Sequence, residues 1–264
     1  MPKRKLAGQT AWISGATKGI GEGAALLFAR EGAAVAVIGR DDNDGCRVVR
    51  AIKRKGGKAI FIPCDVTREE EVRDSIQQTV SAFGGIQILV NNAGIVDIRM
   101  LHDCTADQWD RVMDVNVKSM FFAFKHAFPH LRKNRRAYVV NIGSISSFVG
   151  QSGTPAYTAS KGAVLQLSLS IALDYARYGI RCNCVCPGIT NTPMLRKHLD
   201  AASDPEAQLA RRLNRVPLNV ALTPADVAKS ILYFSCEDSA GITGTSLIVD
   251  AGYLAAAEWD CSGL

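Results

Sequence analysis

Seven short apolar stretches alternate with helical patterns along the whole chain. A strand, a helix and a further strand in succession require a crossover, and crossovers build parallel sheets with helices on both faces. The pattern therefore predicts an α/β fold with one doubly wound parallel sheet. We expect a single domain over 1–264, because no linker, repeat or low-complexity segment interrupts the alternation. The predicted strands are 10–14, 33–39, 58–62, 86–90, 137–142, 180–186 and 245–250. The helices compared below are predicted over 67–83, 105–131, 155–178 and 224–236, and 192–222 is expected to be irregular with some helical tendency.

Composition excludes several other classes of protein. Apolar residues make up 47% of the chain and charged residues 21%, which is not the balance of a disordered segment. The net charge of +6 is mild for 264 residues. We interpret the basic runs at 3–5, 53–55 and 132–136 as solvated faces and expect no nucleic-acid partner. A mildly basic protein remains compatible with an anionic cofactor.

The sequence predicts no membrane partner and a cytoplasmic location. No apolar run approaches the length of a membrane span, and the first residues do not follow a signal-peptide pattern. The eight cysteines are therefore expected to be reduced thiols. Cys182, Cys184 and Cys186 alternate along one strand. We interpret them as small side chains packed in the core, because a metal site needs a spaced fourth ligand. We expect no metal.

A glycine-rich segment at 15–21 lies between the first predicted strand and a helical pattern. Glycines permit a tight turn, and the start of a helix presents unpaired N–H groups to an anion, so the segment indicates a phosphate-binding loop. The alternative is an ordinary turn. Further unusual residues follow other strands, at 39–40, Asp65, 91–94, Ser144 and 187–192. Ligands of open α/β sheets bind at the carboxyl ends of the strands, and all these stretches fall on that edge.

Ser144, Tyr157 and Lys161 form a second pattern with chemical content. Tyr157 and Lys161 are four residues apart, so they share one face if the segment is helical. A nearby ammonium favours phenolate and lowers a tyrosine pKa, which is ordinarily near ~10. The three side chains suit proton transfer to or from an alcohol oxygen. Each residue alone also has a structural interpretation: Ser144 as a loop cap, Tyr157 as a buried aromatic residue and Lys161 as a surface charge.

From residue 10 to residue 253 the chain resembles the short-chain dehydrogenase/reductase family. The motifs that carry the resemblance are SGATKGIG (14–21), CDV (64–66), NNAG (91–94), Asn116, Ser144, Y-x-x-x-K (157–161), PGITNT (187–192) and TGTSLIVDAG (243–252). The resemblance implies a Rossmann-type sheet with strand order 3-2-1-4-5-6-7, a nicotinamide dinucleotide cofactor and a homotetramer. It also implies a substrate loop at about 192–222 and a C-terminal tail at 253–264.

The resemblance further implies roles for individual residues. Tyr157 is the acid/base, Ser144 binds the substrate oxygen, Lys161 lowers the tyrosine pKa and holds the ribose, and Asn116 supports a water in a proton relay. Val96, Ser146, Gln151 and Met194 are expected to line the substrate pocket. The implied cofactor contacts are Gly15, Thr17, Lys18, Gly19, Ile20, Gly21, Arg40, Asp65, Val66, Asn92, Ala93, Gly94, Tyr157, Lys161, Pro187, Gly188, Thr190 and Thr192.

The end of the second strand bears on the choice of cofactor. An acidic residue there binds the ribose of NAD, whereas a cation accommodates the 2′-phosphate of NADP. This chain has Gly39 followed by Arg40, with Lys18 in the glycine loop, so we expect a preference for NADP(H). Asp41 and Asp42 are counter-evidence, and NAD(H) is not excluded.

The expected activity is hydride transfer between the cofactor and a secondary alcohol or ketone, on a small-molecule or 3-oxoacyl reductase-like substrate. The alternatives are a non-catalytic NADP-binding regulator and an epimerase or dehydratase on the same scaffold. Two departures from the family pattern lie near the C-terminus. Asn219 and Val220 replace the usual Gly-Arg pair, and Ala251 replaces a glycine.

Overall fold

The computed structural model describes residues 4–200 and 203–256. Seven parallel strands form one sheet in the order β3-β2-β1-β4-β5-β6-β7, which confirms the predicted fold and strand order. The single-domain organisation over 1–264 stays a prediction. The strands are β1 (Thr10–Ser14), β2 (Ala34–Gly39), β3 (Lys58–Pro63), β4 (Ile88–Asn91), β5 (Ala137–Ile142), β6 (Ile180–Pro187) and β7 (Ser246–Val249).

Helices cover both faces of this sheet, because alternate residues of each strand point to opposite sides. Ala11 and Ile13 of β1 pack into one apolar layer and Trp12 into the other. The Trp12 indole N–H donates to Ser75 Oγ at 3.1 Å, which satisfies its one donor inside the core. The helices are α1 (Gly19–Arg30), α2 (Asp42–Arg54), α3 (Glu69–Phe83), α4 (Ala106–Met113), α5 (Ser119–Leu131), α6 (Pro155–Tyr175), α7 (Pro193–Leu199), α8 (Pro205–Leu213) and α9 (Pro224–Phe234).

The helix predicted over 105–131 is interrupted. A π-helical segment, Asp114–Lys118, separates α4 from α5 and contains Asn116. The apolar periodicity of the sequence continues across this segment, so the interruption has no signal in the pattern. Short π-helical segments inside α-helices are frequent at functional sites.

Two other boundaries differ from prediction because an aspartate side chain there accepts hydrogen bonds from the neighbouring backbone. The helix expected from Thr67 begins at Glu69, because the Asp65 carboxylate accepts hydrogen bonds from the Thr67 N–H (3.0 Å) and hydroxyl (2.8 Å). The last strand ends at Val249 rather than Asp250, whose carboxylate accepts from two backbone N–H groups of the following turn. The loop expected to be irregular at 192–222 contains α7 and α8.

Three ends differ by a few residues. The strand expected from 86 begins at Ile88, the helix expected to reach 178 ends at Tyr175 with a 3₁₀ turn at Ala176–Tyr178, and α9 ends at Phe234 rather than 236. Of the predicted tail at 253–264, positions 257–264 lie outside the described residues.

The two departures from the family pattern have unusual backbone conformations. In the described part of the chain, Asn219 (φ 49°) and Ala251 (φ 56°) are the non-glycine residues with positive φ. Both replace glycines of the family pattern, and the turns have kept a conformation that suits glycine. Asparagine tolerates this region, whereas alanine pays a steric cost.

Candidate active site

The glycine loop is pressed against the end of β4. A Cβ atom added to Gly15 (φ 60°) would lie 2.9 Å from Ala93 Cα, and one added to Gly21 would lie 2.3 Å from the Gly15 oxygen. The Asn92 side-chain amide donates to the backbone oxygens of Ser14 and Gly15, each at 3.0 Å. The loop therefore has its present shape only because these positions carry no side chain.

Ser14 is a residue that the sequence analysis missed. Its hydroxyl oxygen accepts hydrogen bonds from the backbone N–H groups of Asn92 and Ala93, each at 3.0 Å. It thereby joins the β1 and β4 ends of the predicted cofactor site. A serine at the last position of β1, directly before the glycine loop, is the signal that could have indicated it.

Helix α1 begins without a side-chain cap. Its N-cap is Lys18, whose side chain makes no capping hydrogen bond, whereas α2 is capped by the Asp41 carboxylate, which accepts from the Asp44 N–H at 3.0 Å. The first N–H groups of α1 are therefore left for an anion. With the close-packed glycine loop before them, these groups fit the pyrophosphate of a dinucleotide.

The Thr17 side chain packs closely against Gly39 at the end of β2. A Cβ atom there would lie 2.6 Å from Thr17 Cγ2 in the glycine loop. An aspartate at this position, which would bind the ribose of NAD, therefore requires the Thr17 side chain to shift. Arg40 is exposed, with Nη1 3.9 Å from Asp65 Oδ2. Val66, a predicted cofactor contact, is buried in the core.

The second predicted cation of the cofactor site is paired with acidic residues. Lys18 Nζ lies 2.5 Å from Asp44 Oδ2 and 3.8 Å from Asp41 Oδ2. The hydrogen bond to Asp44 raises the pKa of Lys18 above its ordinary value.

Residues 187–192 close over the glycine loop from the other side. A Cβ atom on Gly188 would lie 2.8 Å from Asp250 Cα, so this position also requires glycine. The Thr190 hydroxyl donates to the Gly188 oxygen at 3.0 Å. Thr192 caps α7, and its Cγ2 lies 3.4 Å from the position of a Gly19 Cβ. The predicted contacts at Pro187, Gly188, Thr190 and Thr192 thus share one edge with the glycine loop.

Lys161 is buried within the site, at 4% exposure. Its Nζ donates to the Ile142 oxygen at 2.7 Å and lies 5.6 Å from the Tyr157 ring centroid. Burial lowers the pKa of Lys161 to about 8. The lysine is therefore an ammonium held in a poorly solvated position, which favours contact with a negative charge.

Tyr157 and Ser144 lie together at the carboxyl end of β5. Burial raises the pKa of Tyr157, and a hydrogen bond with Ser144 acts in the opposite direction. The Ser144 hydroxyl accepts from the Ser146 N–H at 3.1 Å, which orients it at the start of a 3₁₀ turn. The lowering of the tyrosine pKa by Lys161, which the resemblance implies, stays a prediction.

Asn116 is fully buried and anchors the π-helical segment to two other elements. Its side-chain amide donates to the Ile95 oxygen and to Ser160 Oγ, each at 2.9 Å, and its oxygen accepts from the Ile95 N–H at 2.8 Å. Ser160, which the sequence analysis missed, thereby ties Asn116 to α6. The position of Ser160, directly before Lys161, could have indicated it.

Gly94 marks the point where these residues converge. A Cβ atom on Gly94 would lie 3.4 Å from Asn116 Oδ1 and 3.6 Å from Lys161 Nζ. The structure therefore brings Tyr157 and Lys161 of α6 together with Asn116 of the π-helical segment and Ser144 after β5, beside the residues that fit a dinucleotide. This arrangement can place a proton on an oxygen atom, or remove one, next to a hydride donor.

The expected substrate-lining residues have different environments. Ser146 is buried and donates from its hydroxyl to Gln151 Oε1 at 2.8 Å, whereas Gln151 and Met194 are exposed and Val96 is half-buried. Ser146 thus supports Gln151 and Ser144 from behind.

Two of the clustered cysteines also lie behind the site. The sulfur atoms of Cys184 and Cys186 are 3.6 Å apart, and each would lie 2.8 Å from a Cβ atom on Gly143. All three cysteines of β6 are buried, and Cys184 and Cys186 fill space against Gly143, directly before Ser144. Within the described ranges, no three His, Cys, Asp or Glu residues are grouped to hold a metal ion. Of the described helices, none is long and apolar enough to cross a membrane.

Comparison with known proteins shows the family to which the chain belongs. Residues 15–254 match the family described as Enoyl-(Acyl carrier protein) reductase. The chain is 35% identical to cyclopentanol dehydrogenase from Comamonas sp., covering 92% of this chain and 96% of that protein. It is 37% identical to 2-(R)-hydroxypropyl-CoM dehydrogenase from Xanthobacter autotrophicus, covering 94% and 99% respectively.

A solved structure shows the same fold. Aldohexose dehydrogenase from Thermoplasma acidophilum, in ligand-free form, superimposes with a TM-score of 0.88 at 33% identity, covering 97% of both chains. The fold and site define a nucleotide-dependent oxidoreductase of the α/β class. The chain belongs to the short-chain dehydrogenase/reductase family and is an NAD(P)-dependent enzyme of that family.

Proposed function

We propose that the protein reduces a ketone, or oxidises the corresponding secondary alcohol, on a small molecule with NADP(H) as the preferred cofactor. The observation that carries this proposal is that Lys161 lies beside the Tyr157 ring and, with Asn116, next to Gly94. The relatives named above as dehydrogenases of a cyclic alcohol and of a 2-hydroxypropyl compound support a secondary alcohol as the reacting group.

In the proposed reduction, Tyr157 gives its hydroxyl proton to the substrate oxygen. The hydroxyl of Ser144 donates a second hydrogen bond to that oxygen and stabilises the charge that develops on it. The phenolate left behind lies beside the Lys161 ammonium, whose own burial makes an anionic neighbour favourable. A bound nicotinamide cofactor supplies the hydride. In the oxidation, Tyr157 takes the proton back from the alcohol.

Asn116 contributes by position. Its side-chain donors are used by Ile95 and Ser160, so it fixes the β4 loop and α6 relative to each other. The water-supporting role implied by the family resemblance remains a part of this proposal.

The cofactor would be held by the glycine loop, the start of α1 and the loops that follow β2, β3, β4 and β6. Preference for NADP(H) is supported by the close contact of Gly39 with Thr17 and by the cations Lys18 and Arg40 at the same edge. We expect Arg40→Ala to raise the KM for NADPH much more than the KM for NADH. A wild-type protein with a clear preference for NADH would refute this choice of cofactor.

The rim of the site favours an apolar substrate. The loops that follow β4 and β5, and the start of α7, expose apolar side chains. The backbone N–H of Arg99 joins the two loops by donating to the Gly153 oxygen at 2.8 Å. An apolar rim favours a hydrophobic ketone or cyclic alcohol over a charged one. The exposed side chains are Ile98, Met100, Leu101, Phe148, Val149 and Met194.

A homotetramer and a cytoplasmic location complete the proposal. Leu173 of α6 is 81% exposed, and Phe121 of α5 is 52% exposed. Large apolar side chains on the outer faces of neighbouring helices support burial against a second copy of the chain. The described cysteines are all free thiols, which supports a reducing compartment.

A panel of ketones and secondary alcohols, followed by NADPH absorbance, tests the activity. Apolar cyclic ketones are expected to be reduced faster than carboxylate-bearing ones of the same size. If the protein bound NADPH tightly and turned over no member of the panel, the assignment as a ketone reductase would be wrong.

A further inference from the structure

Asp44 pairs with Lys18, one of the two cations expected to bind the 2′-phosphate of NADP(H). Its Oδ2 lies 2.5 Å from Lys18 Nζ, and this hydrogen bond with Lys18 lowers the pKa of Asp44 below its ordinary value. Asp41 adds a second carboxylate at 3.8 Å from Lys18 Nζ. The lysine that precedes Gly19 in the glycine loop is therefore directed to the first turn of α2.

The carboxylate of Asp44 is held in place by Arg47, one turn later on α2. Arg47 Nε lies 3.4 Å from Asp44 Oδ1, and its two terminal nitrogens donate to Glu22 at 2.5 and 2.9 Å. One of them also donates to the Thr17 oxygen of the glycine loop at 3.0 Å. Bidentate arginine–carboxylate contacts of this kind fix geometry as well as charge. Asp44 is thus part of a frame that joins α2, α1 and the glycine loop.

We propose that Asp44 is a specificity-determining residue of the cofactor site, which reduces the preference for NADP(H) over NAD(H) by holding Lys18. This inference rests on the proposed cofactor site. A 2′-phosphate carries close to two negative charges, and near the end of β2 it would compete with Asp44 for the same ammonium. NAD(H) has a hydroxyl at that position and meets no such competition. Arg40, the other cation at this edge, also lies near a carboxylate, that of Asp65.

The substitution Asp44→Asn tests the inference without a substrate. Asparagine keeps an oxygen for Arg47 Nε and removes the charge that holds Lys18. We expect NADPH to bind about fivefold more tightly, the upper worth of one surface ion pair, because the Lys18 side chain is half-exposed. The affinity for NADH should stay within about twofold, since NADH makes no use of the released lysine. Both affinities are measured by fluorescence titration of the purified protein.

Asp42→Asn is the matched control. Asp42 lies in the same turn of α2, carries the same charge and is exposed, but it does not contact Lys18 in the described structure. An equal gain in NADPH affinity from both substitutions would overturn the inference, because it would show an effect of net charge alone. An unchanged or weaker NADPH affinity in Asp44→Asn would also overturn it.

The double variant Lys18→Met/Asp44→Asn identifies the carrier of the effect. The double variant should bind NADPH no more tightly than Lys18→Met alone. A gain in NADPH affinity from Asp44→Asn that persists without Lys18 would overturn the inference. A wild-type preference for NADH would refute the proposed cofactor, but the ratio of Asp44→Asn to wild-type NADPH affinity would still test Asp44. The two failures are therefore distinguishable.

Discussion

Replacing Lys161 with methionine should change how the stability of the protein depends on pH. The side chain is 4% exposed, and burial lowers its pKa from the ordinary 10.5 to about 8. At about 1.4 kcal/mol per pKa unit, the protonated lysine destabilises the folded chain by about 3 kcal/mol relative to the unfolded chain. Methionine has a similar length and carries no charge, so Lys161→Met removes this cost.

The sign follows from which state holds the proton. Below about pH 8 both the folded and the unfolded chain are protonated at Lys161, and the cost is present in full. Between about pH 8 and 10.5 the folded chain has released the proton and the unfolded chain has kept it, so wild-type stability rises with pH. The loss of the hydrogen bond to the Ile142 oxygen costs about 1–3 kcal/mol at every pH and does not alter this trend.

The assay is urea unfolding of the cofactor-free protein at about pH 7 and pH 10. The free energy of unfolding of Lys161→Met minus that of wild type should fall by about 2–3 kcal/mol between these conditions. Lys53→Met, at an exposed position of α2, is the control and should show no such change. Parallel pH dependence of Lys161→Met and wild type would refute the assignment of Lys161 as a buried, destabilised ammonium.

Three further predictions concern the loop, the surface and the backbone. Gly21→Ala places a Cβ atom 2.3 Å from the Gly15 oxygen and should weaken NADPH binding at least about tenfold in a fluorescence titration. Gly241→Ala is the control, because a Cβ atom there has no neighbour within 4 Å, and it should leave NADPH binding unchanged. Leu173→Glu should lower the molar mass measured by light scattering to that of a smaller assembly, and an unchanged mass would place the interface elsewhere. Ala251→Gly relieves a φ of 56° and should raise the free energy of unfolding by about 1 kcal/mol in urea; a loss of stability would contradict the strain assigned to it.

The sheet and its carboxyl edge could be predicted from the sequence, because buried parallel strands are continuous apolar runs. The alternation alone places the glycine loop, the 91–94 turn and Ser144 on one edge of the sheet. Tyr157 and Lys161 could be assigned to one helix face by their spacing, and α6 contains both. Strand order itself came from the family resemblance, since alternation alone is compatible with several orders.

The remaining features depend on tertiary contacts that leave no local signature. The π-helical segment at Asn116 is fixed by hydrogen bonds to Ile95 and Ser160, which are distant in sequence. The pairing of Lys18 with Asp44 requires α2 to pack beside the glycine loop. The sequence shows both charges, but only the fold shows that one neutralises the other.

The burial of Lys161 is the clearest case of this kind. A lysine four residues after a tyrosine reads equally well as an exposed helix residue. Its pKa depends on the layers of β5, β6 and α6 that exclude water from it.

Turnover by Tyr157→Phe is the measurement that tests the central claim most directly. The substitution removes one hydroxyl and keeps the ring beside Lys161. On a ketone that the wild-type protein reduces, kcat should fall at least about 100-fold, the usual contribution of a positioned acid or base. The Kd for NADPH should stay within about twofold, and Tyr233→Phe, at the surface of α9, should leave both unchanged. A Tyr157→Phe variant that keeps most of its activity would contradict the assignment of Tyr157 as the group that exchanges a proton with the substrate.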